Sequence, residues 1–124
     1  MPKVLIIDDD IDGLFSARFL LKKNGHEVVV LNKAENFLAE IESCNPNLIL
    51  LDVFLSGVDG REICQLIKHN EALKKIPVIL YSADDSVADT YPIFGANDFI
   101  AKPFDIYDFV ATINAHIAAE VVTE

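Results

Sequence analysis

Residues that could form one charged site stand directly after several apolar runs of the chain. Asp8 and Asp9 follow the first run, in the sequence IIDDD. Asp52 follows a later run in LILLDVF, Ser82 ends VILYS, and Lys102 follows FIA. Carboxylates within a few ångströms of one another repel by several kcal/mol at an effective dielectric constant of about 20, unless a cation or protons neutralise them. If the fold brings these residues together, it therefore creates a place for a positive ion.

The chemistry that this residue set favours is phosphoryl transfer assisted by a metal. Oxygen ligands without His or Cys suit a hard cation, and Mg²⁺ suits so small a cluster better than Ca²⁺; Mn²⁺ could substitute for it. In phosphoryl transfer a protein mainly positions the group and neutralises its charge. Asp52 stands alone and is the best candidate nucleophile, whereas the adjacent Asp8 and Asp9 are better placed to hold metal.

Short apolar runs predict the strands that must position these residues. The runs do not alternate with polar residues, which is typical of parallel strands buried on both faces. They are Val4–Ile7, Val28–Leu31, Leu48–Leu51, Val78–Leu80 and, with a weaker pattern, Asp98–Ala101. Helical patterns separate them, so we predict a doubly wound α/β fold with helices on both faces of a five-stranded parallel sheet. The carboxyl ends of such strands share one edge, where ligands bind.

The first and last predicted helices have clear boundaries. The first extends from Ile11 to Asn24, with Gly25 where a left-handed C-cap belongs. The last begins after Asp105 as N-cap. Its apolar residues are spaced to face one side and are Ile106, Phe109, Val110, Ile113 and Ile117. We expect this stripe to pack on the sheet.

The helices between them carry weaker patterns. The second and third are indicated by two apolar sets, Ala34, Phe37, Leu38 and Ile41, and then Ile63, Leu66 and Ile67. The fourth falls within Asp85 to Phe94 and contains Pro92, which lacks a backbone donor. We therefore predict that the fourth helix is short or kinked.

Composition limits the class of protein and of partner. The chain of 124 residues is 52% hydrophobic, which predicts one globular domain spanning residues 1–124, without an output domain. Its net charge of −10 would repel a phosphate backbone, so direct binding of nucleic acid is not expected. No apolar stretch approaches the roughly 20 residues that a membrane span needs. Cys44 and Cys64 lack metal-ligand spacing, and we expect a cytoplasmic protein.

Four motifs, in order along the chain, resemble those of the receiver domain of two-component response regulators. They are the acidic pair in LIIDDD, the acceptor in LILLDVFLSGVDG, the hydroxyl in YSA, and KPF. The resemblance extends from about Lys3 to Ala118. It implies a flavodoxin-like strand order of 2-1-3-4-5. It also implies that Asp52 accepts a phosphoryl group from a sensor histidine kinase or a histidine phosphotransfer protein.

The resemblance also assigns the metal ligands and phosphate contacts. Asp9 and Asp52 would bind Mg²⁺ directly, Asp8 would act largely through water, and the carbonyl of Phe54 would complete the protein ligands. Lys102 would pair with the phosphate.

A conformational switch is implied by the same family. Ser82 would bond a phosphoryl oxygen and move toward it, while the aromatic ring of Phe99 turns inward. The Lys102–Pro103 bond resembles a cis peptide of the family. Downstream proteins would bind the face formed by the fourth helix, fifth strand and fifth helix, and the protein would be a monomer or a phosphorylation-dependent dimer.

Several positions depart from the family pattern. Leu55 and Ser56 replace the usual Met-Pro, Asp84 adds a negative charge near the site, and Phe54 offers no polar side chain to an attacking water. Two alternatives remain open. One is a receiver-like interaction module that works without phosphorylation. The other is a Mg²⁺-dependent phosphohydrolase with an aspartyl nucleophile, which would need a second acid where Phe54 stands.

Overall fold

The computed structural model describes residues 1–122, and the side chains up to residue 117. Five parallel strands form one sheet in the order β2-β1-β3-β4-β5. Their bounds are β1 Lys3–Ile7, β2 Glu27–Leu31, β3 Leu48–Asp52, β4 Val78–Ser82 and β5 Asp98–Ala101. The predicted doubly wound α/β fold and its strand order are therefore confirmed.

The helices cover both faces of this sheet. Their bounds are α1 Ile11–Lys23, α2 Phe37–Cys44, α3 Gly60–Lys68, α4 Val87–Thr90 and α5 Ile106–Val122. Helices α1 and α5 pack on one face, over a buried cluster that includes Ile6, Leu50 and Phe109. The second cluster, with Leu51 and Ile63, lies between the other face and α2, α3 and α4. None of the helices in the described part of the chain combines the length and apolar character needed to cross a bilayer.

Local sequence signals fix both ends of α1 and the start of α5 as predicted. The side chain of Asp10 accepts a hydrogen bond from the backbone N–H of Asp12 at 3.2 Å and caps α1. At the other end Gly25 adopts a φ of +88°, the left-handed conformation that favours glycine. Asp105 caps α5 by accepting from the N–H groups of Tyr107 and Asp108 at 2.9 and 3.1 Å.

Three apolar residues lie differently from what their spacing predicts. Ile106, the first residue of α5, is 55% exposed, whereas Phe109 one turn later is fully buried. In α3 the side chain of Leu66 is 54% exposed, and the fully buried Cys64 takes its place in the core. Ala34 precedes α2 rather than belonging to it. Spacing alone identified the helices but not which flank of each stripe meets the sheet.

The fourth helix, in the crossover between β4 and β5, is short, as predicted from Pro92. Helix α4 has only four residues and passes directly into a 3₁₀ turn, Tyr91–Phe94. Pro92 lies at the start of that turn, where its missing N–H has no helical partner to lose. Gly95 then ends the turn with a φ of +85°.

Candidate functional site

The carboxyl edge of the sheet brings three carboxylates together. Asp8 follows β1 directly, Asp9 is next to it, and Asp52 is the last residue of β3. One carboxylate oxygen from each lies within 4.8 Å of the others. Strands β1 and β3 are neighbours and their ends are in register through Ile7 and Leu51, which is why side chains distant in sequence meet here.

Asp8 is fully buried, and protein groups bind both of its carboxylate oxygens. Oδ1 accepts a hydrogen bond from the backbone N–H of Asp10 at 2.9 Å. Oδ2 accepts one from the hydroxyl of Tyr81 and lies 3.4 Å from Nζ of Lys102. A buried carboxylate is tolerated only with such donors, so Asp8 is held in one orientation.

Lys102 joins two of the carboxylates. It follows β5, and its Nζ lies 3.4 Å from Oδ2 of Asp8 and 3.5 Å from Oδ1 of Asp52. The same ammonium stands 4.1 Å from the centroid of the Tyr81 ring, within the range of a cation–π contact. The peptide bond from Lys102 to Pro103 is cis. Lys102 thus contributes one positive charge close to two buried carboxyl groups.

Asp52 is 5% exposed and lies where negative charge is unfavourable without a cation. Burial, and next to it the neighbouring Asp8 carboxyl, raise the pKa of Asp52 to about 7, although Lys102 opposes the shift. The backbone N–H of Phe54 donates to Oδ1 of Asp52 at 3.4 Å. A divalent cation beside Asp52 would favour the ionised carboxylate and lower this pKa.

Asp9 contacts the segment that follows Asp52. This segment is a short antiparallel hairpin in which Phe54–Leu55 pairs with Val58–Asp59. The backbone N–H of Ser56, in its turn, donates to Oδ2 of Asp9 at 2.6 Å. Hydrogen bonds from Ser56 hold the pKa of Asp9 below its usual value. The hairpin that carries Leu55 and Ser56 is therefore held against Asp9 by a backbone hydrogen bond.

The donor set fits Mg²⁺. Asp8, Asp9 and Asp52 supply only oxygen atoms, which is the ligand type that this hard cation prefers. The close spacing of the three carboxylates points the same way, because a divalent cation would offset the repulsion between them and stabilise the ionised forms.

The other predicted site residues lie on the neighbouring strands. Ser82 is buried at the end of β4, and its Oγ accepts a hydrogen bond from the backbone N–H of Asp84 at 3.0 Å. The side chain of Asp84 is turned toward Ser86 instead, since it accepts from the N–H of Ser86 at 2.9 Å. Phe99 lies three residues before Lys102, half-buried against the cluster that faces α3.

Sequence reasoning missed Tyr81. It lies in β4 opposite Asp52 in the register of the sheet, is fully buried, and donates its hydroxyl hydrogen to Asp8. Burial, and then its hydrogen bond to Asp8, raise the pKa of Tyr81 well above its usual value, so the phenol keeps its proton. A signal was available, because a tyrosine inside the apolar run VILYS needs a partner for its hydroxyl group.

Comparison with known proteins identifies the family. Residues 4–114 match the response regulator receiver domain family, and the chain belongs to that family. Members are signalling domains of two-component systems rather than classical enzymes, and they generally bind Mg²⁺ at an acidic pocket.

Individual relatives cover the chain almost completely. Protein PilG from Pseudomonas aeruginosa is 36% identical over 117 residues, which are 93% of this chain and 87% of PilG. The sensory transduction protein RegX3 from Mycolicibacterium smegmatis is 33% identical over 93% of this chain, which spans only 50% of RegX3. A solved CheY-like receiver domain protein from Methanospirillum hungatei superposes with a TM-score of 0.88 at 25% identity, covering 100% of this chain and 99% of that one.

Proposed function

We propose that this protein accepts a phosphoryl group on Asp52 and passes the signal to a partner protein. The observation that carries the proposal is the position of Asp52, buried at the sheet edge within reach of Lys102 and beside Asp8 and Asp9. The donor would be a phosphohistidine of a sensor kinase or of a phosphotransfer protein, as membership of the family suggests.

The transfer requires a nucleophile and compensation of negative charge. A carboxylate oxygen of Asp52 would attack the phosphorus atom, the P–N bond of the donor would break, and the leaving imidazole would take up a proton from solvent. Lys102 would pair with a phosphoryl oxygen, and the hydroxyl of Ser82 would donate to another. Both residues are at the same sheet edge as Asp52, which makes short movements sufficient.

Metal binding would be shared by the acidic residues. When bound, Mg²⁺ neutralises charge that develops on the transferred phosphoryl group. Asp9, Asp52 and the carbonyl of Phe54 would hold it directly. Asp8 would act through water, in keeping with the donors that already occupy both of its oxygens.

Signal output would use the neighbouring crossover. Ser82 ends β4 just before α4, and Phe99 lies in β5 just after the 3₁₀ turn. A movement of Ser82 toward the phosphoryl group would shift α4, while Phe99 turns inward. The face formed by α4, β5 and α5 would then present a different surface to a downstream protein.

Intact mass measurement tests this function directly. The native protein is incubated with acetyl phosphate, with and without Mg²⁺, beside Asp52→Asn and the matched control Asp89→Asn, which changes an exposed aspartate of α4. We expect one phosphoryl group on the native chain and on the control, only with Mg²⁺, and none on Asp52→Asn.

The contrary result is equally clear. If the native chain gains no mass and also fails to bind beryllofluoride with Mg²⁺, although it is folded, phosphoryl acceptance is excluded. The phosphorylation-independent module would then be the better description. Turnover of small phosphate esters with release of phosphate would instead indicate the phosphohydrolase.

A further inference from the structure

Tyr81 contributes a phenol group that contacts two residues of the proposed phosphoryl-transfer site. Its side chain is fully buried in β4, and its hydroxyl donates a hydrogen bond to Oδ2 of Asp8. Its ring faces Nζ of Lys102 at 4.1 Å from the centroid. One side chain therefore contacts both a carboxylate and the ammonium of the site.

The ammonium group of Lys102, which the Tyr81 ring contacts, is shared between two carboxylates. Lys102 stands almost equally far from Asp8 and Asp52, at 3.4 and 3.5 Å. Oδ2 of Asp8 is the oxygen that both the Tyr81 hydroxyl and the Lys102 ammonium approach. A buried carboxylate oxygen needs hydrogen-bond donors, and the Tyr81 hydroxyl supplies one of them. Asp8 therefore attracts Lys102 less strongly than it would without this hydroxyl.

Loss of the hydroxyl would change this balance. Oδ2 of Asp8 would then depend on Lys102 as its donor, and the ammonium would move toward Asp8 and away from Asp52. Lys102 is the cation that the proposed mechanism places on the incoming phosphoryl group. Transfer to Asp52 would slow even though every proposed site residue is still present.

We propose that Tyr81 is a positioning residue for phosphoryl transfer, which fixes Asp8 and thereby leaves Lys102 available to Asp52 and to the phosphoryl group. The inference rests on the proposed function, because it concerns the rate of that reaction. It adds a residue outside the acidic cluster, contributed by β4 one position before Ser82.

The test compares Tyr81→Phe with Ile79→Val. The first variant removes only the hydroxyl and keeps the ring, and the second removes one methyl group from a fully buried residue of the same strand and cluster. The rate constant for phosphorylation of Asp52 by acetyl phosphate is measured over a range of Mg²⁺ concentrations, by intact mass.

We expect a rate about tenfold lower at saturating Mg²⁺ for Tyr81→Phe, the size of one lost charge-assisted hydrogen bond, and a change below about twofold for Ile79→Val. The half-saturating Mg²⁺ concentration should move by less than about threefold, because Asp9 keeps its contacts. If Tyr81 only supported the fold, both variants would lose thermal stability. The phosphorylation rate at saturating Mg²⁺ and the half-saturating Mg²⁺ concentration would then change together.

A double-mutant cycle identifies the residue through which Tyr81 acts. Urea unfolding is measured for Tyr81→Phe, Asp8→Asn and the double variant, a readout that does not depend on activity. We expect the destabilisation by Tyr81→Phe to fall by more than half in the Asp8→Asn background.

Either of two results would overturn the inference. One is a Tyr81→Phe rate equal to that of Ile79→Val, and the other is strict additivity with Asp8→Asn. Both are read against a native protein that does accept phosphate. If the native chain fails to do so, the proposed function fails first, so the two failures are distinguishable.

Discussion

The carboxyl edge of the sheet and the crossover between β4 and β5 are neighbours that differ in how firmly they are held. All residues of β3 and β4 are buried, and these strands end at Asp52 and Ser82. In the crossover, Val87 is the buried residue of α4, and within the 3₁₀ turn Ile93 is 72% exposed. The side chains of the site rest on the core, whereas the crossover contributes little to it.

This difference is consistent with the proposed division between phosphoryl transfer at the sheet edge and signal output at the crossover. A site that compensates charge needs fixed atoms, because a displacement of about 1 Å costs much of the catalytic effect. A surface that reports the state of the site needs a segment that moves at low cost, and segments with few buried contacts meet that requirement. In this chain Ser82 stands at the boundary between the two regions.

Matched glycine substitutions test the contrast most strongly. A Cβ at Gly60 would overlap the carbonyl oxygen of Asp52 and lie 3.0 Å from its carbonyl carbon, whereas at Gly95 it would lie 3.0 Å from a side-chain carbon of Lys68. We expect Gly60→Ala to cost about 3 kcal/mol or more of unfolding free energy, since backbone must move. Gly95→Ala, with φ at +85°, should cost about 1–2 kcal/mol.

Urea unfolding and phosphorylation by acetyl phosphate measure this pair. Gly60→Ala should also slow phosphorylation because the carbonyl it displaces belongs to Asp52, while Gly95→Ala should not. Equal costs for the two variants would mean that the site edge is no more rigid than the crossover.

Solution pH should change the unfolding free energy of the protein through Asp52 at the site rather than through the crossover. The pKa of Asp52 is about 7 in the folded protein and 3.8 is its ordinary value. Between these values the folded state binds a proton that the unfolded state has released, so unfolding free energy should fall as pH rises, by on the order of 3 kcal/mol. Mg²⁺ should restore stability, and more so at about pH 8 than at about pH 5.5, because it competes with the proton.

Thermal unfolding with and without Mg²⁺ measures this effect. Asp52→Asn serves as the control, because it removes the titrating group and should flatten the slope over this range. A slope that persists unchanged in Asp52→Asn would assign the titration to another group.

The smallest effect is expected for Pro92→Ala in the crossover. The variant restores a backbone N–H and allows α4 to continue through the 3₁₀ turn. Since Pro92 already lies at the start of that turn, unfolding free energy should change by less than about 1 kcal/mol. Hydrogen exchange at residues 88–94 should slow severalfold, while the phosphorylation rate stays within about twofold.

A change in phosphorylation rate as large as that of Gly60→Ala would contradict this expectation. It would show that a change in the crossover alters the geometry of the sheet edge, so that the two regions are structurally coupled.

The sequence was sufficient for the centre of the sheet because β1, β3 and β4 are almost wholly buried and contain uninterrupted apolar runs. The edge strands β2 and β5 are only partly buried, and the pattern of β5 is correspondingly weaker. Helix orientation was harder to predict, since spacing does not show which flank is covered: Leu66 lies outside and Cys64 inside. The fourth helix was predictable from one residue, Pro92, whose chemistry acts locally.

The acidic cluster was predictable for a topological reason, because parallel strands deliver their ends to one edge. The contact from Ser56 to Asp9 was not, since it depends on the conformation of the hairpin that follows Asp52. Tyr81 was overlooked because it reads as one more apolar residue of the run VILYS, and its side chain packs in the cluster that α1 and α5 cover. Position along a strand does not show which hydrogen-bond partner its hydroxyl group finds.

Because Cys64 is buried, its reactivity can report local separation of α3 from the sheet. Its thiol is fully buried between α3 and the sheet, and burial raises its pKa to about 11. An alkylating reagent reacts with thiolate, so this cysteine should stay unmodified until α3 separates from the sheet. In a variant with Cys44 replaced by Ser, the rate at which the Cys64 sulfur is alkylated would measure how often α3 separates from the sheet that carries Asp52.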